Sequence, residues 1–126
     1  MKQIKTFEDA CKKLGIDPTT LPEVSNLPAD LQQAVIDHYK MMIVAQALND
    51  GWKPDWNDHN QRKWNPWFTV KASSKNPGGS GLVFFIAHYW ITYTAVGSRL
   101  CFRDAETAEY AGKQFKKLYE GFWLIK

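Results

Sequence analysis

The stretch from Ala29 to Asn49 contains neither glycine nor proline, and it constrains the fold more than any other feature of the chain. Pro28 stands before it where a proline suits a first helical turn, with Asn26 or Leu27 ahead of it. Asp30 sits where a carboxylate favours a helix N-terminus, and Gly51 closes the run. Leu31, Val35, Tyr39 (or His38), Met42 and Ala45 form a stripe at helical spacing. Ala34, Met41, Ile43, Val44, Ala47 and Leu48 widen it until the C-terminal half is apolar around much of its circumference. A helix of this kind is expected at the centre of the fold, covered on more than one side.

A shorter helix is expected before it. Thr6 suits the N-cap, Asp9 follows three residues on, and Phe7, Ala10, Cys11 and Leu14 fall on one face. Gly15 then offers the left-handed position that ends a helix. Asp17-Pro18 reads as an N-cap followed by proline, giving about one further helical turn before Leu21-Pro22. At the other end of the chain Asp104 caps a last helix. Its buried stripe is Ala108, Ala111, Phe115, Leu118 or Tyr119, and Phe122. Ala111-Gly112 supplies a small-residue patch where a sheet can approach closely, and Phe122-Trp123-Leu124-Ile125 is an apolar tail that has to dock.

The middle of the chain reads as strands. Residues 52–66, WKPDWNDHNQRKWNP, follow neither a helical nor a strand period and are expected to form an ordered surface loop. Trp67 to Lys71 makes a first strand, and residues 73–81, rich in Gly, Ser and Asn, a mobile hairpin loop. Leu82 to Val96 reads as two strands turning near Ala87-His88, with Trp90, Thr92, Thr94 and Val96 on one face. Gly97-Ser98 signals a tight turn, and Arg99 to Arg103 a fourth strand. Connections this short exclude parallel crossovers. The expected fold class is α+β, as one domain over residues 1–126. Two N-terminal helices (one short, one long) lead into a four-stranded antiparallel meander, with a C-terminal helix packed on the sheet.

Composition narrows the class of function. The apolar fraction of 44% and charged fraction of 23% are those of a folded soluble chain. A formal charge of +3, with Lys and Arg dispersed, falls short of the basic patch that phosphate backbones select. Met1-Lys2-Gln3-Ile4-Lys5 leads into a polar helix with no apolar signal region, and the longest apolar stretch, Leu82 to Ile86, is too short to span a bilayer as a helix. A cytoplasmic protein without membrane contact is expected. Cys11 and Cys101 have no metal-ligand spacing and read as reduced, buried small hydrophobes rather than a disulfide.

Two stretches resemble a known family. One is Ala47-Leu48-Asn49-Asp50-Gly51-Trp52-Lys53-Pro54-Asp55-Trp56 with Pro66-Trp67-Phe68 after it. The other is Gly97-Ser98-Arg99-Leu100-Cys101-Phe102 running into Ala108-Glu109-Tyr110-Ala111-Gly112-Lys113-Gln114-Phe115. With Thr6-Phe7-Glu8-Asp9-Ala10, they are similar to a family of short uncharacterised proteins from gut anaerobes and their phages and prophages. The resemblance implies a phage or mobile-element setting and assigns no activity and no site residue.

The best candidate site is the tryptophan-rich segment: Trp52, Trp56, Trp64 and Trp67, interleaved with Lys53, Arg62 and Lys63. Aromatic platforms beside cations suit stacking on unpaired bases or a sugar ring. The structural alternative is that these rings pin an irregular loop to the sheet and the second helix. Asp55, Asp58 and His59 match no metal spacing, and Gly78-Gly79-Ser80-Gly81 lacks the helix and Lys-Ser/Thr pair of a phosphate loop. His38, His59, His88 and Cys101 have no companions at a telling spacing, so no catalytic residue, cofactor or metal is expected. The first expectation is a non-enzymatic binding protein that meets a protein partner or small ligand through the tryptophan loop and the aromatic sheet face. The alternatives are a single-stranded nucleic-acid binder using the Trp, Arg and Lys residues of 52–71, and an enzyme with an unfamiliar site.

Overall fold

The computed structural model describes residues 3–125. The Met1-Lys2 part of the N-terminal reading lies outside the described residues. Four helices and one antiparallel pair of strands are laid out as α1 (Phe7–Leu14), α2 (Ala29–Asn49), β1 (Lys63–Lys71), β2 (Gly81–Trp90), a 3-10 turn (Ser98–Leu100), α3 (Ala105–Gln114) and α4 (Lys116–Trp123). The class is α+β, but the expected architecture of two N-terminal helices, a four-stranded meander and one C-terminal helix is overturned by four helices around a two-stranded sheet.

Local chemistry accounts for the helix ends. Thr6 and Asp9 form a reciprocal capping box: the Asp9 N–H donates to Thr6 Oγ1 at 3.1 Å, and the Thr6 N–H donates to Asp9 Oδ2 at 3.2 Å. Gly15 closes α1 at φ 69. The Asp17-Pro18 segment forms a turn rather than a helical turn, because Asp17 Oδ1 takes the Thr19 N–H at 2.9 Å and the Thr20 N–H reaches the Asp17 carbonyl. The left-handed cap of α2 falls on Asp50, φ 49, one residue before the glycine that marked it in the sequence.

The C-terminal half of α2 is the centre of the core. Met41, Val44, Ala45, Ala47 and Leu48 are buried with Ile4, Phe7, Ala10 and Cys11 from the N-terminal end and Phe102, Ala108, Ala111, Phe115 and Tyr119 from the C-terminal end. Its N-terminal half projects beyond this layer. Leu31 and Val35, which the helical stripe assigns to the core, are 50% and 39% exposed. Periodicity marks a face, and only the neighbouring elements decide how far along the helix that face is covered.

The sheet differs most from expectation. The loop read at residues 52–66 ends early, because Lys63 to Pro66 already belong to β1 and pair with Trp90 to Ala87. That pairing runs straight through Ala87 and His88, so β2 is one strand where two strands and a turn were expected. Pro66 sits in β1 opposite Ala87 with its missing N–H directed away from β2, a position an edge strand tolerates. Residues 91–96 form no strand: Thr94 Oγ1 takes the N–H groups of Val96 and Gly97 at 3.1 and 2.7 Å, and this local bonding competes with a ladder. The expected fourth strand is the 3-10 turn followed by a single bridge, in which Trp64 and Phe102 exchange both backbone hydrogen bonds at 2.9 and 2.6 Å. Gly97 does take positive φ, 76, but it opens that 3-10 turn rather than a hairpin.

The last helix is broken at Phe115, which ends α3 with its N–H on the Ala111 carbonyl and starts α4 at φ −111. The bend lets α3 lie on the sheet while α4 turns onto α2. One face of the sheet, carrying Trp64, Pro66, Phe68, Leu82 and Phe84, is therefore covered by helices, and Phe68 packs on Tyr119 and Trp123 with ring centroids 5.2 and 5.5 Å away. Among the described residues no helix covers the other face.

Candidate functional site

The six residues singled out as a binding constellation occupy four separate places. Trp52 lies just past the Asp50-Gly51 end of α2, half-buried, and lines a groove of about 800 Å3. Leu14, Met42 and Ile43 supply apolar walls of that groove, and Lys53 and Arg99 supply cations. Among the described residues, none of the buried polar atoms lacking a partner lies on this groove.

Trp56 and Lys63 form a structural unit. Lys63 is 1% exposed, and its ammonium donates to the carbonyls of Asp58 at 3.1 Å and Ile91 at 2.9 Å. The same ammonium lies 5.1 Å from the centre of the Trp56 ring, whose Nε1–H donates to Ser98 Oγ at 2.7 Å. A buried cation needs such partners to repay its lost hydration. Lys63 thus fastens the 52–61 loop and the segment after β2 to the start of β1. Asp55 and Asp58 are occupied in turns, each accepting the N–H two residues on through Oδ1 at 2.9 Å. Among the described residues there is no cluster of three or more metal-ligating side chains.

Strand parity separates the remaining three. Trp64 points to the helix side and packs on Tyr89 at 4.9 Å, and the Arg62 guanidinium covers that same Tyr89 ring at 4.5 Å. Trp67, an odd number of residues on, points to the uncovered face. There it meets His88 at 4.9 Å and Trp90 at 6.3 Å, and it remains 38% exposed.

The sequence pointed to an aromatic sheet face without naming Val83, Phe85 and Ile86 as its exposed members. Val83 and Ile86 share it with Trp67, His88 and Trp90, and Phe85 is the unpaired residue of a β-bulge. Val83, Phe85 and Ile86 are 43%, 68% and 49% exposed. The run Leu82–Ile86 lacks the polar alternation that usually marks a strand with one wet face. The available signal was the absence of any charged residue or proline across Gly81–Trp90. Asn65 Oδ1 and Trp90 Nε1, both on this face, are buried without protein partners.

Chemically the surface is apolar and aromatic, with one imidazole. Cys101 is buried, its thiol donates to the Ser98 carbonyl at 3.4 Å, and burial pushes its pKa up to about 11, which disfavours a thiolate nucleophile. Cys11, also buried and free, is raised by the same cause. Among the described residues no helix is long and apolar enough to cross a membrane. No family model, curated protein or solved structure matches this chain.

Proposed function

We propose that the chain is a non-enzymatic interaction protein of the cytoplasm, phage- or prophage-like in setting, that docks a protein partner on the uncovered aromatic face of its sheet. One observation carries the reading: helices cover a single face of a two-stranded sheet, and the other face leaves Trp67, Val83, Phe85 and Ile86 between 38% and 68% exposed. These four side chains present on the order of 400 Å2 of apolar surface, the size at which an exposed patch marks an interface. The resemblance of the Trp52 and Gly97 segments to short phage and prophage proteins supports the setting.

A photo-crosslinking residue at Phe85, compared with one at the exposed Glu109 on α3, tests this in the native host cell. The expected result is one discrete adduct with another protein from position 85, absent from position 109 and lost when Ile86→Lys is added. The same adducts from both positions, or none from position 85, would refute it.

The single-stranded nucleic-acid reading gains less from the geometry. The Lys63 ammonium is used internally, and Trp64 and Trp67 face opposite sides of the sheet. A labelled oligonucleotide whose binding weakened steeply with salt would favour that reading over the first.

A further inference from the structure

The two edges of the sheet are unlike, and that difference says what meets β2. In an antiparallel pair, opposed residues alternate between directing their N–H and C=O groups at each other and directing them outward. Trp64 exchanges both of its bonds with Phe102, so Trp64 and its opposite Tyr89 direct their backbone groups outward, as do Pro66 and Ala87 two residues along. At the other end the Leu82 N–H goes outward to Glu120 Oε2 at 2.7 Å, which makes Phe84 outward as well.

The outer edge of β1 is therefore blunted. Over its first half Trp64 is occupied and Pro66 has no N–H to offer. The outer edge of β2 is held at one point, where Glu120 takes the Leu82 N–H. Among the described residues no hydrogen bond reaches the outward backbone of Phe84, Ala87 or Tyr89. The strand is ten residues long and holds no Lys, Arg, Asp, Glu or Pro.

We propose that β2 pairs antiparallel with β2 of a second copy of this chain, joining two sheets across a twofold axis. Self-pairing suits this strand because it opposes no like charges, and an antiparallel strand contact is self-complementary under twofold symmetry. It also closes: each copy has one open edge and one blunted edge, so pairing stops at two rather than running on into fibres. The contact is made by backbone bonds along one short strand edge, well below the roughly 800 Å2 per partner of a standard interface. The dimer is accordingly weak and reversible. The inference rests on the same reading that β2 is uncovered, but it uses the edge and leaves the face to the protein partner proposed above.

Sedimentation of the full chain across a concentration series tests the pairing, with Ala87→Pro and Ala87→Val beside the wild type. Proline at position 87 deletes one outward N–H and leaves the bonds to β1 in place, whereas valine keeps the N–H. The wild type and Ala87→Val are expected to move toward twice the monomer mass as concentration rises, and Ala87→Pro to remain a monomer. Amide hydrogen exchange of the wild type gives a second reading that does not depend on the proline variant folding. The Phe84, Ala87 and Tyr89 amides should gain protection with concentration, while the exposed amides of residues 92–94 do not. A monomer at every concentration, or a dimer whose three amides stay unprotected, overturns edge pairing. Neither result touches the crosslinked partner at position 85, so the two readings fail separately.

Discussion

Gly112 is where α3 lies close against the sheet, and substitution there sets two known effects against each other. A Cβ at this position would lie 2.7 Å from Pro66 Cβ, 3.2 Å from Phe84 Cδ1 and 3.3 Å from Phe68 Cζ. Carbon atoms prefer about 3.5–4.0 Å. None of the three neighbours is the loose end of a flexible side chain. Pro66 is a fully buried ring in β1, and Phe68 is held between Phe84, Tyr119 and Trp123. Alanine in mid-helix gains about 1 kcal/mol over glycine by propensity, and overpacking a filled core costs about 1–3 kcal/mol. The clash wins at 2.7 Å, so Gly112→Ala should lose about 1 kcal/mol net, and Gly112→Val about 3 kcal/mol. Urea unfolding followed by tryptophan fluorescence and far-ultraviolet circular dichroism measures both. Glu109→Ala on the exposed side of α3 serves as a control expected to stay within about 0.5 kcal/mol. A Gly112→Ala protein more stable than wild type by about 1 kcal/mol would mean propensity is unopposed and would refute the close approach.

Three further outcomes are expected. Phe115→Ala should cost about 3–5 kcal/mol in a denaturant titration, because Phe115 is 5% exposed at the junction of α3 and α4; a loss under about 0.5 kcal/mol would remove it from the core. Lys63→Met should cost about 1–3 kcal/mol by orphaning the Asp58 and Ile91 carbonyls, and collisional quenching of Trp56 should rise as the 52–61 loop loosens; unchanged stability and quenching would show that the ammonium fastens nothing. Asp9 has its pKa lowered below 3.8, first by the Lys5 N–H it accepts and then by Thr6. A depressed carboxylate stabilises the fold fully above its unfolded pKa and loses that contribution as pH falls through the lower folded value. The urea midpoints of wild type and Asp9→Asn should therefore differ near neutral pH and converge in acid, and a constant gap would contradict the capping role.

How much was legible in the sequence follows from the range of each interaction. The capping box of Thr6 and Asp9, the left-handed Gly15, the span of α2, the N-cap at Asp104 and the close approach at Gly112 all depend on residues a few positions apart or on one missing Cβ. Local sequence carries that information whole. The central role of the C-terminal half of α2 and the burial of Phe115 were equally readable, since an apolar surface that wide has to be covered.

Pairing was not local, and there the sequence was silent. Nothing near Ala87 says that Asn65 and Pro66 lie opposite it, so an aromatic run of uniform character was divided at the wrong place. The tryptophans of 52–67 are adjacent in sequence and look like one platform. Strand parity sends Trp64 under the helices and Trp67 to the open face, while the burial of Lys63 withdraws its charge from any ligand. Composition determined that these rings would be there and left open whether they would be anchored or exposed. Which face of the sheet stayed bare, and which of its edges stayed unpaired, was decided by the bend at Phe115 and the bridge from Phe102, two contacts that exist only once the chain has closed on itself.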